Sequence, residues 1–150
     1  MLLPMSARWI AERRGRLSRH EPVIIGTPSS GLSVHALKRG PRGVAEEALV
    51  RLSQPGLHAE RWVWASDGDG FDRLTDFFAG MNDDWRGWTG ERTWESLEGE
   101  LELTARHDGG HIQIDVMLQD ELTWRVTTEL SLEPGEQLAT ATRNLQDLLG

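Results

Sequence analysis

Residues 94–133 alternate apolar and polar side chains through three consecutive runs, and this alternation constrains the fold more than any other feature of the chain. Because successive side chains of a β-strand point to opposite faces, each run predicts a strand with one apolar and one polar face. Turn-forming residues, His107-Asp108-Gly109-Gly110 and Asp120-Glu121-Leu122, separate the runs. The sequence therefore predicts three consecutive antiparallel strands that cover a core on one side only.

The first of these turns also predicts a register. A two-residue type I′ turn at Asp108-Gly109 pairs Ala105 with Ile112 on the apolar face. On the polar face it places Glu102 opposite Asp115, a like-charge pair that destabilises a sheet unless water or a cation relieves it.

The chain as a whole divides into two halves with the same predicted order of elements. The strands of the first half are expected at residues 32–39, 46–53 and 57–65, with a short strand at 23–27 before them. Amphipathic helices are expected at about residues 70–81 and 135–149, one after each set of strands. The predicted fold is α+β: a mainly antiparallel sheet of six to seven strands, built as two βββα halves, with two amphipathic helices packed on the sheet.

Charge is distributed unevenly between the N-terminus and the remainder of the chain. The net charge is −8, yet residues 1–20 carry five arginines and one glutamate, whereas residues 21–150 carry 11 basic and 23 acidic residues. We expect residues 1–20 to form a basic, disordered N-terminal arm and residues 21–150 to form a single α+β domain. A domain this acidic repels phosphate backbones, so a basic protein is a more natural partner than a nucleic acid.

Several classes of function lack their sequence signature. The chain has no cysteine, which excludes disulfides, thiolate metal sites and cysteine nucleophiles. Without a membrane-spanning apolar run or a signal peptide, no membrane association is predicted and the expected compartment is the cytoplasm. The sequence contains no nucleophile elbow, phosphate-binding glycine loop or dinucleotide fingerprint. His107 and His111 flank a hairpin turn but are predicted to point to opposite faces, so we assign no metal, cofactor or catalytic residue.

Acidic residues on the polar side of the predicted sheet form one candidate binding surface. Glu98, Glu100 and Glu102 alternate along one strand, and Asp115 lies on the next. A solvated outer face explains such residues without any function. The functional interpretation is a docking surface for a basic partner.

The segment that joins the two halves is a second candidate. It contains Asp83, Asp84, Trp85 and Trp88 among polar residues and glycines. Large aromatic side chains in a loop either pack into the core or are presented to a partner.

A third candidate lies in the last strand of the first half. Trp62 and Trp64 share one face of that strand, and Val63 and Ala65 share the other. Both faces are apolar, so we expect a central strand that is covered on both sides. Its second cover could be the protein core, a homodimer partner, or a small ligand in a groove lined by Trp62 and Trp64.

Four segments between Asp84 and Leu138 carry a resemblance to known sequences. They are Asp84-Trp85-Arg86-Gly87-Trp88, Trp94-Glu95-Ser96-Leu97-Glu98-Gly99-Glu100-Leu101, His107-Asp108-Gly109-Gly110-His111 and Pro134-Gly135-Glu136-Gln137-Leu138. In these segments the chain resembles an uncharacterised actinobacterial family of small acidic proteins, classed only as a domain of unknown function. Small acidic α+β proteins of this kind are also similar to immunity proteins, which neutralise a toxin. The resemblance implies no catalytic residue.

Two functional hypotheses follow. The first is a non-enzymatic protein-binding module, of immunity type, that engages a basic partner through the acidic sheet face and the tryptophan-containing loop. The alternative is a small-ligand-binding domain or weak enzyme with a groove at Trp62 and Trp64. Salt-sensitive association favours the first hypothesis, and a deep pocket with converging polar groups favours the second.

Overall fold

Both halves of the chain contain four strands followed by one helix. The computed structural model describes residues 16–65 and 69–150. The first half comprises β1 (Arg16–Thr27), β2 (Ser30–Arg39), β3 (Ala45–Gln54), β4 (Leu57–Trp64) and α1 (Asp72–Asp83). The second comprises β5 (Glu91–Glu95), β6 (Leu101–Asp108), β7 (His111–Asp120), β8 (Trp124–Leu132) and α2 (Glu136–Leu149). The order of elements is therefore ββββα in each half.

The strands form two antiparallel sheets with simple up-and-down connections. The sheet orders are β1-β2-β3-β4 and β5-β6-β7-β8. The predicted α+β class with mainly antiparallel strands and two helices is confirmed, whereas the prediction of one sheet of six to seven strands is wrong. The first half has the four strands expected for it, counting the short one at 23–27, whereas the second half has one strand more than the three predicted. Charged residues dominate β5, and its first three residues, 91–93, precede the alternating run that predicts a strand from residue 94.

The predicted N-terminal arm overlaps the first strand. Residues 16–20 are the beginning of β1, which continues through the predicted short strand at 23–27. Pairing with β2 is interrupted by a bulge between Arg19 and Val23. The rest of the predicted arm, residues 1–15, lies outside the described residues.

Each helix packs beside the sheet of the opposite half. Although α1 follows the first sheet, it packs beside β5 of the second sheet, and α2 packs beside β1 of the first. The helices also contact each other, and the Thr142 hydroxyl donates a hydrogen bond to the Phe78 carbonyl at 3.4 Å. Both sheets and both helices contribute to one continuous apolar core, in which Phe78, Leu103, Ile114 and Leu145 are almost fully buried. Burial of this shared surface provides the main stabilisation that holds the two halves together.

The observed register of the β6–β7 hairpin differs from the predicted one by two residues. The turn residues are Gly109 and Gly110, and Asp108 pairs with His111. Consequently Glu102 lies opposite Met117, and Asp115 lies opposite Thr104. The predicted Glu102–Asp115 pair is therefore wrong. A shift of two residues leaves every side chain on its predicted face, which explains why the apolar pattern alone could not detect the error.

The first of the three predicted strands is divided by a turn. β5 ends at Glu95, residues 97–100 form a turn with Gly99 at φ +75°, and β6 begins at Leu101. A positive φ is readily accessible only to glycine, so Gly99 allows the chain to reverse where strict alternation predicted a continuous strand. Glu98, Glu100 and Glu102 therefore do not form a stripe along one strand.

Neither α1 nor α2, the helices of the described residues, is long and apolar enough to cross a membrane.

Candidate functional site

Glu100 connects the two sheets instead of facing solvent. It is only 2% exposed. Its carboxylate accepts hydrogen bonds from the Ser96 hydroxyl at 2.6 Å, the Trp64 backbone N–H at 3.0 Å and the Glu98 backbone N–H at 3.2 Å. The Leu97 N–H donates to the Trp64 carbonyl at 3.4 Å beside it. The edge of β4 is thus joined to the turn that precedes β6, and a buried carboxylate with these partners has a structural role.

The outer face of the second sheet carries two of the remaining candidate acids, Glu102 and Asp115. Glu95 on β5 pairs directly with Glu102 on β6, and Asp115 on β7 pairs directly with Glu129 on β8. The face therefore contains two like-charge cross-strand pairs, an arrangement that destabilises a sheet when it is uncompensated.

Only one of these two pairs is compensated. The Arg106 guanidinium bridges Asp115 at 3.0 Å and Glu91 at 3.2 Å, and these two carboxylates raise the pKa of Arg106. The Gln113 amide donates a hydrogen bond to Glu129 at 2.8 Å. By contrast, neither carboxylate of the Glu95–Glu102 pair has a hydrogen bond or ion pair within the described ranges 16–65 and 69–150.

The uncompensated pair lies on the wall of an open groove between α1 and β5, which we call the α1–β5 groove. The groove has a volume of about 730 Å³. It is lined by Gly70, Arg73, Asp76, Phe77, Thr93, Trp94, Glu95, Ser96, Leu97 and Glu102. Phe77 and Trp94 are half-buried and supply an aromatic surface, whereas Leu97 at its end is 51% exposed. The groove therefore combines apolar contact area with three carboxylates and a single guanidinium.

The tryptophan-containing loop extends from the other end of α1. Asp84 forms an ion pair with Arg92 of β5, whose guanidinium lies 4.6 Å from the centre of the Trp88 ring. Trp88 also packs edge-on against His107, and the His107 ring nitrogen Nε2 lies 2.9 Å from the Trp85 carbonyl oxygen. Trp88 therefore anchors the loop.

Trp85 is presented to solvent by this anchored loop. Its side chain is 45% exposed, and its neighbour in the chain, Arg86, lies 5.1 Å from its ring centre. Asp83 is exposed at the end of α1. The loop thus offers an aromatic and an acidic side chain at the Arg92 end of β5, while the α1–β5 groove lies at the Glu95 end.

Trp62 and Trp64 lie on the outer face of the first sheet and are half-buried there. The Lys38 ammonium is 4.5 Å from the centre of the Trp62 ring, a cation–π contact. The prediction that their strand is central is wrong, because β4 is an edge strand of its sheet. At its Trp64 end, the backbone edge of β4 is bonded to Glu100 and Leu97 of the second half.

A second concavity, of about 490 Å³, lies elsewhere on the outer face of the first sheet. Among its lining residues are Ser33, His35, Arg51 and His58. The Ser33 hydroxyl is 2.8 Å from His35 Nε2, and Arg51 makes an ion pair with Glu60 at 2.7 Å. Burial, followed by the nearby positive charge of Arg51, lowers the pKa of His35 below its ordinary value. The hollow thus places an imidazole beside a hydroxyl group.

The predicted site residues are therefore divided among separate places. Glu102 and Asp115 share the outer face of the second sheet, while Asp83, Asp84, Trp85 and Trp88 lie in and beside the loop after α1. Glu98 is exposed in the β5–β6 turn and Glu100 is buried. Trp62 and Trp64 belong to the other sheet. The arrangement brings Glu102 together with Glu95, a residue that the sequence analysis did not select.

Five residues that line the groove were not among the predicted site residues: Asp76, Phe77, Trp94, Glu95 and Leu97. Phe77 and Trp94 were missed because apolar residues in a helix or strand are most simply assigned to the core. Glu95 gave no such signal, because most residues of β5 are charged and Trp94 is the only apolar one.

Residues 24–150 match the family of unknown function DUF6228, and the chain therefore belongs to that family. The match includes the last four residues of β1, 24–27, and all the later elements of both halves. The expected membership of a domain of unknown function is thus confirmed, whereas actinobacterial origin and likeness to immunity proteins stay predictions. No curated protein and no solved structure matches the chain.

Proposed function

We propose that this DUF6228 protein is a non-enzymatic binding module that engages a basic segment of a partner protein. Its contact surface comprises the α1–β5 groove, the acidic outer face beside it and the loop from Asp83 to Trp88. The observation that carries the proposal is the Glu95–Glu102 pair, two facing carboxylates that form no ion pair or hydrogen bond in the described part of the chain. They lie beside apolar side chains that a partner can cover.

The energetic argument rests on the spacing of directly opposed residues in a sheet. Side chains at such positions lie about 5 Å apart at Cβ. Like charges at such directly opposed positions destabilise a sheet by up to about 1 kcal/mol. An arginine or lysine placed between Glu95 and Glu102 converts this repulsion into attraction. Apolar neighbours of that cation can contact Phe77, Trp94 and Leu97, which supplies affinity in addition to charge.

A photo-crosslinking experiment tests the proposal. The photoreactive amino acid p-benzoylphenylalanine replaces Leu97 at the end of the groove, and in a control protein it replaces Asn144 on the exposed face of α2. Each protein is irradiated in low-salt lysate of the source organism. We expect one basic protein to crosslink at Leu97 and not at Asn144.

Matched charge variants make the result specific. Glu95→Gln/Glu102→Gln should abolish the crosslink, whereas Glu21→Gln/Glu121→Gln, which removes the same charge from exposed positions outside the groove, should preserve it. Equal crosslinking by the two double variants, or a crosslink that persists unchanged at high salt, would contradict a charge-selective groove.

An immunity-type role is the finer form of this proposal, in which the basic partner is a toxin. It is supported by the acidic groove and by the exposed aromatic loop, because inhibitors of basic enzymes commonly present acidic surfaces. Co-expression with the product of a neighbouring toxin gene tests it. Wild-type protein should restore growth, and Glu95→Gln/Glu102→Gln should not. Rescue by both proteins would exclude the groove as the inhibitory surface.

Small-ligand binding is the second candidate, and the structure favours the hollow at Ser33 and His35 over Trp62 and Trp64 as its location. The supporting observation is the convergence of a hydroxyl, two imidazoles and a guanidinium in one concavity. Ligand screening by thermal shift, with Ser33→Ala/His35→Ala as the control, tests it. A ligand that stabilises both proteins equally would place binding elsewhere.

A further inference from the structure

β5 is an edge strand, and its hydrogen-bonding pattern can be determined from its last bond to β6. The Ser96 N–H donates to the Leu101 carbonyl at 2.9 Å, and the Leu101 N–H donates to the Ser96 hydroxyl at 3.0 Å, so Ser96 occupies a position whose backbone N–H points toward β6. Such positions alternate with non-hydrogen-bonded ones along an antiparallel ladder. Trp94 therefore bonds to β6, whereas the backbone N–H and C=O groups of Thr93 and Glu95 point away from the sheet.

These outward groups have no protein partner within residues 16–65 and 69–150. The edge of the first sheet at β4 differs, because the Trp64 N–H and C=O are bonded to Glu100 and Leu97. The α1–β5 groove runs along the open edge, since Thr93, Trp94 and Glu95 line one side and residues of α1 line the other. Exposed edge groups of this kind are a template for an additional strand.

We propose that the partner binds by strand addition: a short, extended, basic segment pairs with β5 and becomes the fifth strand of the second sheet. This inference rests on the proposed function and specifies its binding mode. Five extended residues span about 17 Å, which matches the length of β5. Alternate side chains of the added strand face in opposite directions. One set lies beside Glu95 and Glu102 and carries the positive charges, while the other lies toward Phe77 and Trp94.

The charges of β5 favour a foreign basic strand over a second copy of this chain. In an antiparallel pairing of two β5 strands centred on Thr93, Glu91 of each copy lies opposite Glu95 of the other. Both ends of such a pairing place like charges face to face, which is unfavourable. Charged residues on an edge strand prevent self-association in this way, and the same residues attract a strand with lysine or arginine at those positions.

Substitutions at Thr93 test strand addition directly. The probe is a fluorescein-labelled peptide of alternating valine and lysine, seven residues long, titrated with the full chain at low salt and followed by fluorescence anisotropy. Thr93→Pro removes one outward N–H and leaves the hydrogen bonds between β5 and β6 in place. We expect Thr93→Pro to weaken binding at least tenfold and Thr93→Val to change it less than twofold. Thermal unfolding of both variants verifies that they fold.

Backbone methylation of the probe provides a test that leaves the protein unchanged. A strand that pairs through one edge uses the N–H groups of alternate residues only. Methylating the N–H groups of one alternate set should abolish binding, and methylating the other set should leave it within about threefold. Equal loss with both sets, undiminished binding to Thr93→Pro, or no binding of the unmodified probe would overturn strand addition.

The failure of this inference differs from the failure of the proposed function. If Glu95→Gln/Glu102→Gln weakens probe binding while Thr93→Pro does not, the groove recognises basic side chains without strand pairing. If the probe does not bind but the crosslink at Leu97 depends on Glu95 and Glu102, the partner is basic but not extended. Absence of a charge-dependent crosslink contradicts the proposed function itself.

Discussion

Replacing Glu100 should separate its structural role from the binding role that its position in an acidic segment suggested. Glu100→Ala removes the acceptor of the Trp64 N–H and of the Ser96 hydroxyl, both within the junction between the sheets. The Glu98 N–H, which also donates to this carboxylate, lies in an exposed turn and can bond to water instead. The Trp64 N–H and the Ser96 hydroxyl therefore lose their acceptor at the junction between the sheets, where little water can replace it.

The expected loss follows from these two groups. An unsatisfied buried donor costs about 1–3 kcal/mol, and truncation of the side chain leaves a cavity as well. We expect Glu100→Ala to lower the free energy of unfolding by about 3–5 kcal/mol. Glu100→Gln retains the volume and one acceptor but turns an N–H group toward the Glu98 N–H. Its expected loss is smaller, about 1–2 kcal/mol.

Urea unfolding monitored by tryptophan fluorescence measures these differences, because the chain contains seven tryptophans. Glu98→Ala is the matched control: it removes the same type of side chain from an exposed position two residues away and should change stability by less than about 0.5 kcal/mol. A loss below about 1 kcal/mol for Glu100→Ala, or an equal loss for Glu98→Ala, would refute the assignment of Glu100 as the link between the sheets.

The remaining predictions concern charge, titration and turn geometry. Glu102→Gln should raise the free energy of unfolding by about 0.5–1 kcal/mol by removing repulsion from Glu95, and the gain should shrink in high salt; no gain at low salt would contradict an uncompensated pair. Because the folded-state pKa of His35 lies below its ordinary value of 6.5, its contribution to stability is complete above pH 6.5 and is lost as the pH falls through that lower pKa. Urea midpoints at pH 7 and pH 5 should thus show a larger loss for wild type than for His35→Gln, and parallel losses would show that His35 is not responsible. Gly26 has φ +98°, and a Cβ there would lie 2.6 Å from the Ser30 carbonyl oxygen, so Gly26→Ala should lower stability by about 1–3 kcal/mol in thermal unfolding; an unchanged melting temperature would argue against a strained turn.

Much of the secondary structure could be predicted because buried side chains recur at a regular spacing along a strand or a helix. Alternation identified β6, β7 and β8, and a period near 3.6 identified both helices to within about two residues at each end. The predicted secondary structure was wrong at β5 and at residues 97–100 for the same reason. A charged edge strand and a glycine-containing turn have little apolar content. The pattern of apolar residues therefore revealed neither β5 as a separate strand nor the turn that precedes β6.

The candidate site was less predictable because it depends on which polar groups meet. Glu98, Glu100 and Glu102 are equivalent in a pattern of alternating residues, yet one is exposed in a turn, one is buried between the sheets and one lies on a groove wall. The observed β6–β7 register, two residues from the expected one, removes the Glu102–Asp115 pair, and the turn at residues 97–100 places Glu95 opposite Glu102. Such a shift leaves the faces unchanged and replaces every cross-strand neighbour.

The amino-acid sequence by itself determined which residues form strands and helices in most of the chain, which side of each faces the core, and the acidic character of the surface. These properties follow from the local spacing of apolar and charged residues. Only the tertiary structure decided that the strands divide into two sheets, that α1 lies beside β5, and that Glu95 and Glu102 share a groove with Phe77 and Trp94. Those contacts join residues far apart in the chain, and their geometry depends on how all the elements pack around one core.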